Sequence, residues 1–380
     1  MIQKLADNIV SPLGFSTAEN YGRVCRGESG VIPWTDPAGA HISLSRIDRE
    51  MLFKAFTDTC KPKGAFTSPE QAMLLSAHLA VKEAGIDASA QETIFILSST
   101  KGNIELLSCP DHGFEKDRIH LWYMANLLAA HFNNPNTPIT VSNACISGAC
   151  AQLSAYCLLQ QPGIEHVLVT GVDMAPDFIV AGFQSFKSLD PERCRPFDAR
   201  RIGLNIGEAA ATIVYTKPKK NHSGMFLKGG CVRNDANHIS GPSRTGEGLF
   251  RALTETLSTE DITFTTQEIA FICAHGTATP YNDQMEAIAF QRAGLDRVPV
   301  FSLKAHFGHT MGAAGLLESI VSMKALEEGT ILPSLGYEQP GIEGDIYIST
   351  EKTKTDNRHC IKTLSGFGGG NAVLLFEKQV

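Results

Sequence analysis

The 380-residue chain reads as an α/β protein whose sheets are covered by helices on both faces. Three observations predict this. Apolar runs such as Thr93–Ser98 (TIFILS), His166–Val172 (HVLVTGV) and Ile269–Ala274 are continuous rather than alternating, as in strands buried on both sides. Helix-type segments separate these runs. A short unit also recurs: Cys145-Ile-Ser-Gly148-Ala149 and His309-Thr-Met-Gly312-Ala313 each follow a strand and open a helix. A reactive-type residue, two spacers and Gly-Ala on each side of a polar seam point to a duplicated fold, with the two helix N-termini facing across a pseudo-twofold.

Residues 1–50 place Gly, Pro and Ser in loop-like positions (Ser11-Pro12-Leu13-Gly14), then run polar to Arg49. Thr67 or Ser68 caps a helix from Pro69 to Ala84, with Glu70 in its first turn and Gly85 closing it. The strand Thr93–Ser98 follows, then a helix over Ile119–His131. Ile139–Val141 predicts a short buried strand that turns through Ser142, Asn143 and Ala144 into a helix of small and apolar residues. After the strand His166–Val172, Arg195–Tyr215 reads as a loop entering a strand. Polarity rises between Thr216 and Gly224 (TKPKKNHSG), which divides the chain into halves 1–222 and 223–380. Beyond it come a strand from Met225, a helix over Gly248–Leu257 and the strand Ile269–Ala274. A strand Val298–Leu303 then leads through His306-Phe307-Gly308-His309 into a helix over Gly312–Leu326. The glycine-rich Gly366–Asn371 precedes a last strand, Ala372–Phe376.

With 43% hydrophobic and 19% charged residues the composition is that of an ordinary globular protein. A net charge of -7 and the lack of a basic tail argue against a nucleic-acid binder. No apolar run is long enough to span a bilayer, and MIQKLADNIV lacks a signal-peptide core, so no membrane association and a cytoplasmic location are expected. The ten cysteines are scattered without a CxxC, which suits reduced thiols.

Chemistry concentrates at four places. Cys145 sits where strand becomes helix, among unpaired backbone N–H groups at the positive end of a helix dipole, where a thiolate nucleophile is favoured. His275 opens His-Gly-Thr-Ala-Thr at a strand end, with Asn282-Asp283 following. His309 lies in Gly-His-Thr-Met-Gly-Ala-Ala-Gly, five residues after Lys304. A Cys–His–His set at strand ends suits acyl transfer: the thiolate attacks a thioester, backbone N–H groups hold the oxyanion, and imidazoles donate to an enolate. Zinc at His306, His309 and Cys145 lacks an HExxH or CxxC pattern, so no metal is expected. The Gly366–Gly370 cluster precedes a strand and contains no lysine, so it reads as a pocket loop rather than a phosphate cradle.

These four motifs, in order from roughly Ser11 to Phe376, resemble the elongating β-ketoacyl-acyl-carrier-protein synthases, condensing enzymes of the thiolase fold. The resemblance implies two βαβαβ halves in a five-layered αβαβα core, the first bearing the nucleophile and the second both histidines. It makes Cys145 the acyl acceptor, and His275 and His309 the pair for malonyl decarboxylation and condensation. Lys304 would order that pair electrostatically with Glu318. The N–H groups of Cys145 and Phe367 would form the oxyanion hole, Phe367 also gating the pocket. Thr277, Thr279, Leu204 and Gly368 fall at substrate-contact positions, and Asp283 and Glu286 at mainly structural ones. No cofactor is implied, since phosphopantetheine enters as the carrier-bound substrate arm. The implied partners are an acyl carrier protein and a second ketosynthase-type chain, in a homodimer or heterodimer. An acidic carrier calls for a local basic patch, for which Lys61, Lys63, Arg200 and Arg201 are the candidates.

The chain departs from the family pattern in places. Ile146 follows the cysteine where a small polar residue is usual. Within Asp198-Ala-Arg-Arg-Ile-Gly-Leu204, Ile202 replaces an Asp and Leu204 a Phe, which removes a ring from beside the pocket. The chain is also shorter than typical members, at its N-terminus and in the cap loops. These features lean towards a specialised polyene- or polyketide-type synthase. Two other readings stand beside it. A non-catalytic, chain-length-setting subunit would lack the nucleophile. A thiolase would carry a second cysteine in its terminal loop, whereas Cys360 lies before that loop.

Overall fold

The computed structural model describes residues 1–36, 39–109, 113–218, 223–258 and 264–380. The seam position at 222 lies outside the described residues.

Ten strands carry the site: β1 (Ile2–Val10), β2 (Thr93–Ser98), β3 (Ile139–Val141), β4 (His166–Asp173), β5 (Ala209–Thr216), β6 (Gly224–Asn234), β7 (Ile269–Cys273), β8 (Val300–Phe301), β9 (His359–Gly366) and β10 (Gly370–Gln379). Their spatial order is β8-β7-β9-β10-β6-β1-β5-β4-β2-β3. The first half is thus arranged β1-β5-β4-β2-β3 and the second β6-β10-β9-β7-β8, the same order with each label advanced by five. Directions repeat as well. β1–β5 and β5–β4 are antiparallel, while β4–β2 and β2–β3 are parallel. β6–β10 and β10–β9 are antiparallel, while β9–β7 and β7–β8 are parallel. The short echo in sequence is therefore the trace of a duplicated topology. The halves join through β1 and β6 at two pairs, Ile2–Leu227 and Gln3–Phe226.

Side chains alternate between two interiors along each strand. In the first half Ile96, Val167, Val169 and Ile213 enter a central core, while Phe95, Leu97, Leu168 and Val214 enter an outer core under helix α1 (Ser68–Ala84). In the second half Leu374 and Phe376 point centrally, and Val373 and Leu375 point outward. The middle layer is α2 (Ser147–Leu158) against α5 (Ala314–Glu327). Helices α3 (Glu247–Leu257) and α4 (Pro280–Arg292) cover the far face. Helix, sheet, helix pair, sheet and helix make five layers, which is why the strands read as continuous apolar runs. Twelve of the fourteen α5 residues are buried, so this helix carries no amphipathic stripe.

The two central helices meet backbone on backbone. A Cβ at Gly148 would lie 3.0 Å from Gly315 Cα, and one at Gly315 would lie 2.6 Å from the Ala149 nitrogen. Only glycine permits that crossing. It brings both helix N-termini, and the residues just before them, to one place.

Local chemistry explains most boundaries. Thr67 caps α1 in a capping box with Glu70, and Gly85 closes it at φ 63°. Glu70 also accepts two bonds from Arg118, at 2.8 and 2.6 Å. Residues Lys116–Ile119 consequently form a separate 3₁₀ turn, and the expected helix begins at Leu121. β3 departs from the buried strand expected: it is the edge of the first half, paired with β2 alone, and Ile139 is 36% exposed. β1 went unread because its charges hide its role. Lys4 lies 2.8 Å from Asp7 and 2.9 Å from Glu327 with all three largely covered. The helix Arg49–Cys60 falls in a stretch to which the sequence reading assigns no element. The helix expected from Gly312 starts at Ala314, after a 3₁₀ turn over Met311–Ala313. Among the described residues no helix is long and apolar enough to cross a membrane.

Candidate active site

Cys145 stands on a tight turn between β3 and α2. Ala144 takes φ 45°, a left-handed conformation unusual for a residue with a Cβ. The Ser147 hydroxyl secures the turn, accepting from the Asn143 N–H at 2.7 Å and donating to the Ala144 carbonyl at 2.6 Å. The helix itself starts at Ser147, so Cys145 lies just outside the first turn. Gly366 covers it from the second half, where an added Cβ would lie 3.1 Å from the Cys145 nitrogen. The thiol departs from the thiolate expected. Burial pushes it up to about 11, against Lys304, the Phe367 N–H and Lys101, which favour the anion.

The proton has an acceptor at hand. His309 Nε2 is 2.9 Å from Cys145 Sγ. His275 completes the set: its ring centroid lies 5.1 Å from that of His309, at 85°, and donor atoms of all three residues lie within 4.8 Å of one another. Burial, then Lys304, holds both imidazoles well below the ordinary histidine range, so both rings are neutral. The Nδ1 atoms of both rings are buried without a hydrogen-bond partner.

The second half fixes these rings with buried charge. Lys304 is the first residue of a helical turn, Lys304–Phe307, rather than the end of a strand. Its ammonium pairs with Glu318 Oε1. Glu318 Oε2 lies 2.7 Å from a second buried cation, Lys362, whose hydrogens are directed at the carbonyls of Cys273, Ala274 and Thr363 at 3.1, 3.1 and 2.7 Å. Burial works against charge here, but the two ammonium groups hold the Glu318 carboxyl down, and Cys273 and Glu318 hold Lys362 up. His309 is anchored by its backbone, donating to Asn205 O at 2.7 Å and accepting from the Gly207 N–H at 3.0 Å.

Glu286 clamps the turn at His275. It accepts from the backbone N–H groups of His275 and Gly276 at 2.8 and 2.7 Å, and from Asn282 and Thr363 at 2.9 and 3.0 Å. Asp283 accepts from the Phe197 and Ala278 N–H groups at 2.7 and 3.2 Å, and burial raises its carboxyl to about 7. The Thr277 and Thr279 hydroxyls bond each other at 2.9 Å.

A cavity of 380 Å³ opens onto the set, lined by Cys145, His275, Thr277, Thr279, His309 and Leu204. Phe367 stands at its wall, stacked on Phe183 at 5.9 Å and edge-on to Phe186 at 5.6 Å. Its N–H points at the Cys145 sulfur, and Gly366 packs against the Cys145 nitrogen. Residues Gly366–Gly370 form the hairpin turn between β9 and β10, with Gly368 and Gly369 at φ 85° and 77°. Gly368 corrects the sequence expectation. It does not line the cavity, because the left-handed turn directs its N–H to the Ile239 carbonyl at 2.7 Å.

The basic candidates separate. Arg201 is not a docking cation. Its side chain is 8% exposed and bonds to the carbonyls of Asp198, Gly341 and Pro280. Arg200 is exposed but paired with Asp198 at 3.3 Å and Glu338 at 2.6 Å. Lys61 and Lys63 are exposed beyond the helix Arg49–Cys60 and are not part of the cavity lining. His306 turns away, its Nδ1 2.6 Å from the Glu28 carbonyl.

Three residues escaped sequence reading. Lys362 sits in the apolar strand β9, where a lysine inside such a run was the available signal. Asp173 ends β4 and accepts from the N–H groups of Thr100, Lys101 and Gly312, tying the two halves beside the site. Lys187 lines the cavity mouth.

Comparison with known proteins fits this geometry. Residues 35–221 match the N-terminal domain of β-ketoacyl synthases, and residues 225–338 match the C-terminal domain. The chain is 28% identical over 350 residues to a putative polyketide β-ketoacyl synthase 1 of Streptomyces halstedii, covering 86% of this chain and 81% of that one. It is 33% identical over 262 residues to the tetracenomycin polyketide synthase ketoacyl synthase alpha subunit of Streptomyces glaucescens, covering 64% of this chain and 61% of that one. The fold superimposes on the ishigamide ketosynthase/chain length factor with a TM-score of 0.86 at 24% identity, over 100% of this chain and 99% of that one. With both domains matched in order and the two halves folded alike, the chain belongs to the β-ketoacyl synthase family of condensing acyltransferases.

Proposed function

We propose that this chain is the nucleophile-bearing ketosynthase that condenses malonyl-carrier protein with an acyl group held on Cys145. The observation that carries the reading is the 2.9 Å contact between His309 Nε2 and Cys145 Sγ at the floor of a cavity, with His275 alongside. His309 takes the thiol proton as the sulfur attacks the carrier-bound thioester, and the pantetheine thiol leaves with a proton. The malonyl carboxylate then departs as CO2. The C–C bond pair becomes an enolate, whose oxygen the two imidazoles receive. Its carbon attacks the Cys145 thioester, and the sulfur is released. The N–H groups of Cys145 and Phe367 hold each tetrahedral oxyanion. No cofactor enters; the phosphopantetheine arm is part of the substrate.

The alternative subunit role has nothing to recommend it at this site, since nucleophile and both imidazoles are in contact range. A second ketosynthase-type chain remains part of the proposal. β3 presents an exposed edge at Ile139–Val141, and one solved relative is a ketosynthase/chain length factor assembly. Native mass spectrometry distinguishes an identical from a related partner. For the carrier protein, Lys187 at the cavity mouth replaces Arg201 as docking cation. Lys187→Glu is expected to raise KM for the carrier in a salt-dependent way, and an unchanged KM removes it.

The decisive experiment is incubation with acyl-carrier protein followed by intact-mass measurement. One acyl group is expected on the native chain and none on Cys145→Ala. Undiminished labelling of the variant defeats the reading.

A further inference from the structure

A second Cys–His–His set lies away from the catalytic one, on the outer face of the first half. Cys60 is the last residue of the helix Arg49–Cys60, and His131 is the last residue of the helix Leu121–His131. His78 projects from α1, the helix that covers the outer core. One donor atom from each of the three lies within 4.8 Å of the others, and all three are half-buried. The β-sheet separates this cluster from the central layer that holds Cys145, and nothing in the condensation uses it.

We propose that Cys60, His78 and His131 form a binding site for a divalent metal ion of the zinc class, with the fourth position open to water. Four features carry the inference. The donors are the thiolate and imidazole types that select such ions over magnesium or calcium. They come from three separate helices, so their convergence is a product of the fold and not of local sequence.

Two of those helices end here. The partial negative charge of their C-terminal carbonyls favours a cation, the reverse of the helix N-terminus beside Cys145. The surroundings are also largely apolar, and one ring nitrogen of the set has no partner. Phe132 stacks on His78 at 6.4 Å and meets His131 edge-on at 4.9 Å, and Cys60 packs against the outer core. His78 Nδ1 is buried with no hydrogen-bond partner.

Lys82, a helical turn from His78 on the same helix, is a cation that opposes binding. Tetrahedral zinc sets its donors about 3.5 Å apart. Donors now within 4.8 Å close by about 1 Å, a movement that rotamer changes at two helix ends supply. Binding would staple the helix pair to α1.

Cobalt(II) titration of the full-length Cys145→Ala chain tests the site, because that variant removes the competing catalytic sulfur. One equivalent is expected to produce a thiolate-to-cobalt charge-transfer band together with intense four-coordinate visible bands, and zinc should displace both. Adding Cys60→Ser is expected to remove the charge-transfer band. His131→Gln is expected to weaken binding while leaving circular dichroism unchanged. No such band in the Cys145→Ala chain, or the same band after Cys60→Ser, overturns the proposal.

Discussion

The two halves of this molecule share one strand order but hold their functional residues by different means. In the first half Cys145 is positioned by backbone geometry: the left-handed Ala144, the Ser147 hydroxyl bridging the turn, and Gly366 pressed against it. In the second half the two rings stand beside buried charge: Glu286 holds the His275 turn, His309 is anchored by its backbone to Asn205 and Gly207, and Lys304, Glu318 and Lys362 set the field around both. The difference follows from what each residue must do. A sulfur nucleophile needs a fixed direction and free N–H donors around it. Imidazoles that stay neutral need burial first, and the two ammonium groups nearby add to its effect. Duplication gave one scaffold two kinds of support, and the two kinds respond differently to mutation and to pH.

The sharpest break comes from removing a ring. His309→Ala should lower malonyl decarboxylation by about 10² to 10³, as loss of a donor to a developing oxyanion does elsewhere. The assay is CO2 release from malonyl-carrier protein, with circular dichroism as the check on folding. An activity within tenfold of the native chain would mean that His309 serves the sulfur alone.

Lys362→Met tests whether charge is the device in the second half. The change leaves three buried carbonyls without their donor and Glu318 with one partner, a cost of about 3 kcal/mol. Thermal unfolding reads that cost. The pH profile reads the mechanism. Lys362 is one of the cations depressing both histidines, so its loss lets their values rise towards the ordinary one. Activity requires the neutral rings, so the acid limb should move to higher pH. A profile that stays in place assigns Lys362 a structural role only.

How much of this was legible in the sequence follows the same division. The first half's site could be read because backbone geometry leaves marks in sequence: a strand, then small residues, then Cys145 before a helix. Gly148 and Gly312 stood in the repeated unit and Gly366 in the pocket loop, and the structure places all three at close approaches. Lys304 and Glu318 came through family resemblance, and the structure joins them. Lys362 and Asp173 did not come through, because a buried charge in a strand has no local pattern; the carboxylate that pairs with Lys362 is Glu318, and the N–H groups that pair with Asp173 belong to Thr100, Lys101 and Gly312, all distant in the chain. β1 was lost because its charges mask an otherwise buried strand: Lys4 pairs with Asp7 and, from far along the chain, with Glu327. Gly368 and Arg201 were misplaced because a motif gives a position along the chain and not the direction in which a turn faces.

The smallest expected effect probes the first half. Gly366→Ala puts a methyl group 3.1 Å from the Cys145 nitrogen and 3.5 Å from its Cβ, closer than that backbone tolerates without a shift of a few tenths of an ångström. The shift displaces the Phe367 N–H from the position an oxyanion would take, since residues 366 and 367 share one hairpin turn. The rate of acyl transfer should fall about tenfold, from a partial loss of donor alignment. The charges around the histidines are untouched, so the acid limb should stay where the native chain has it. A variant that moved the limb as Lys362→Met does would show that backbone and charge are not separable here, and the contrast between the halves would fail. A variant with the native rate would place the oxyanion donors elsewhere.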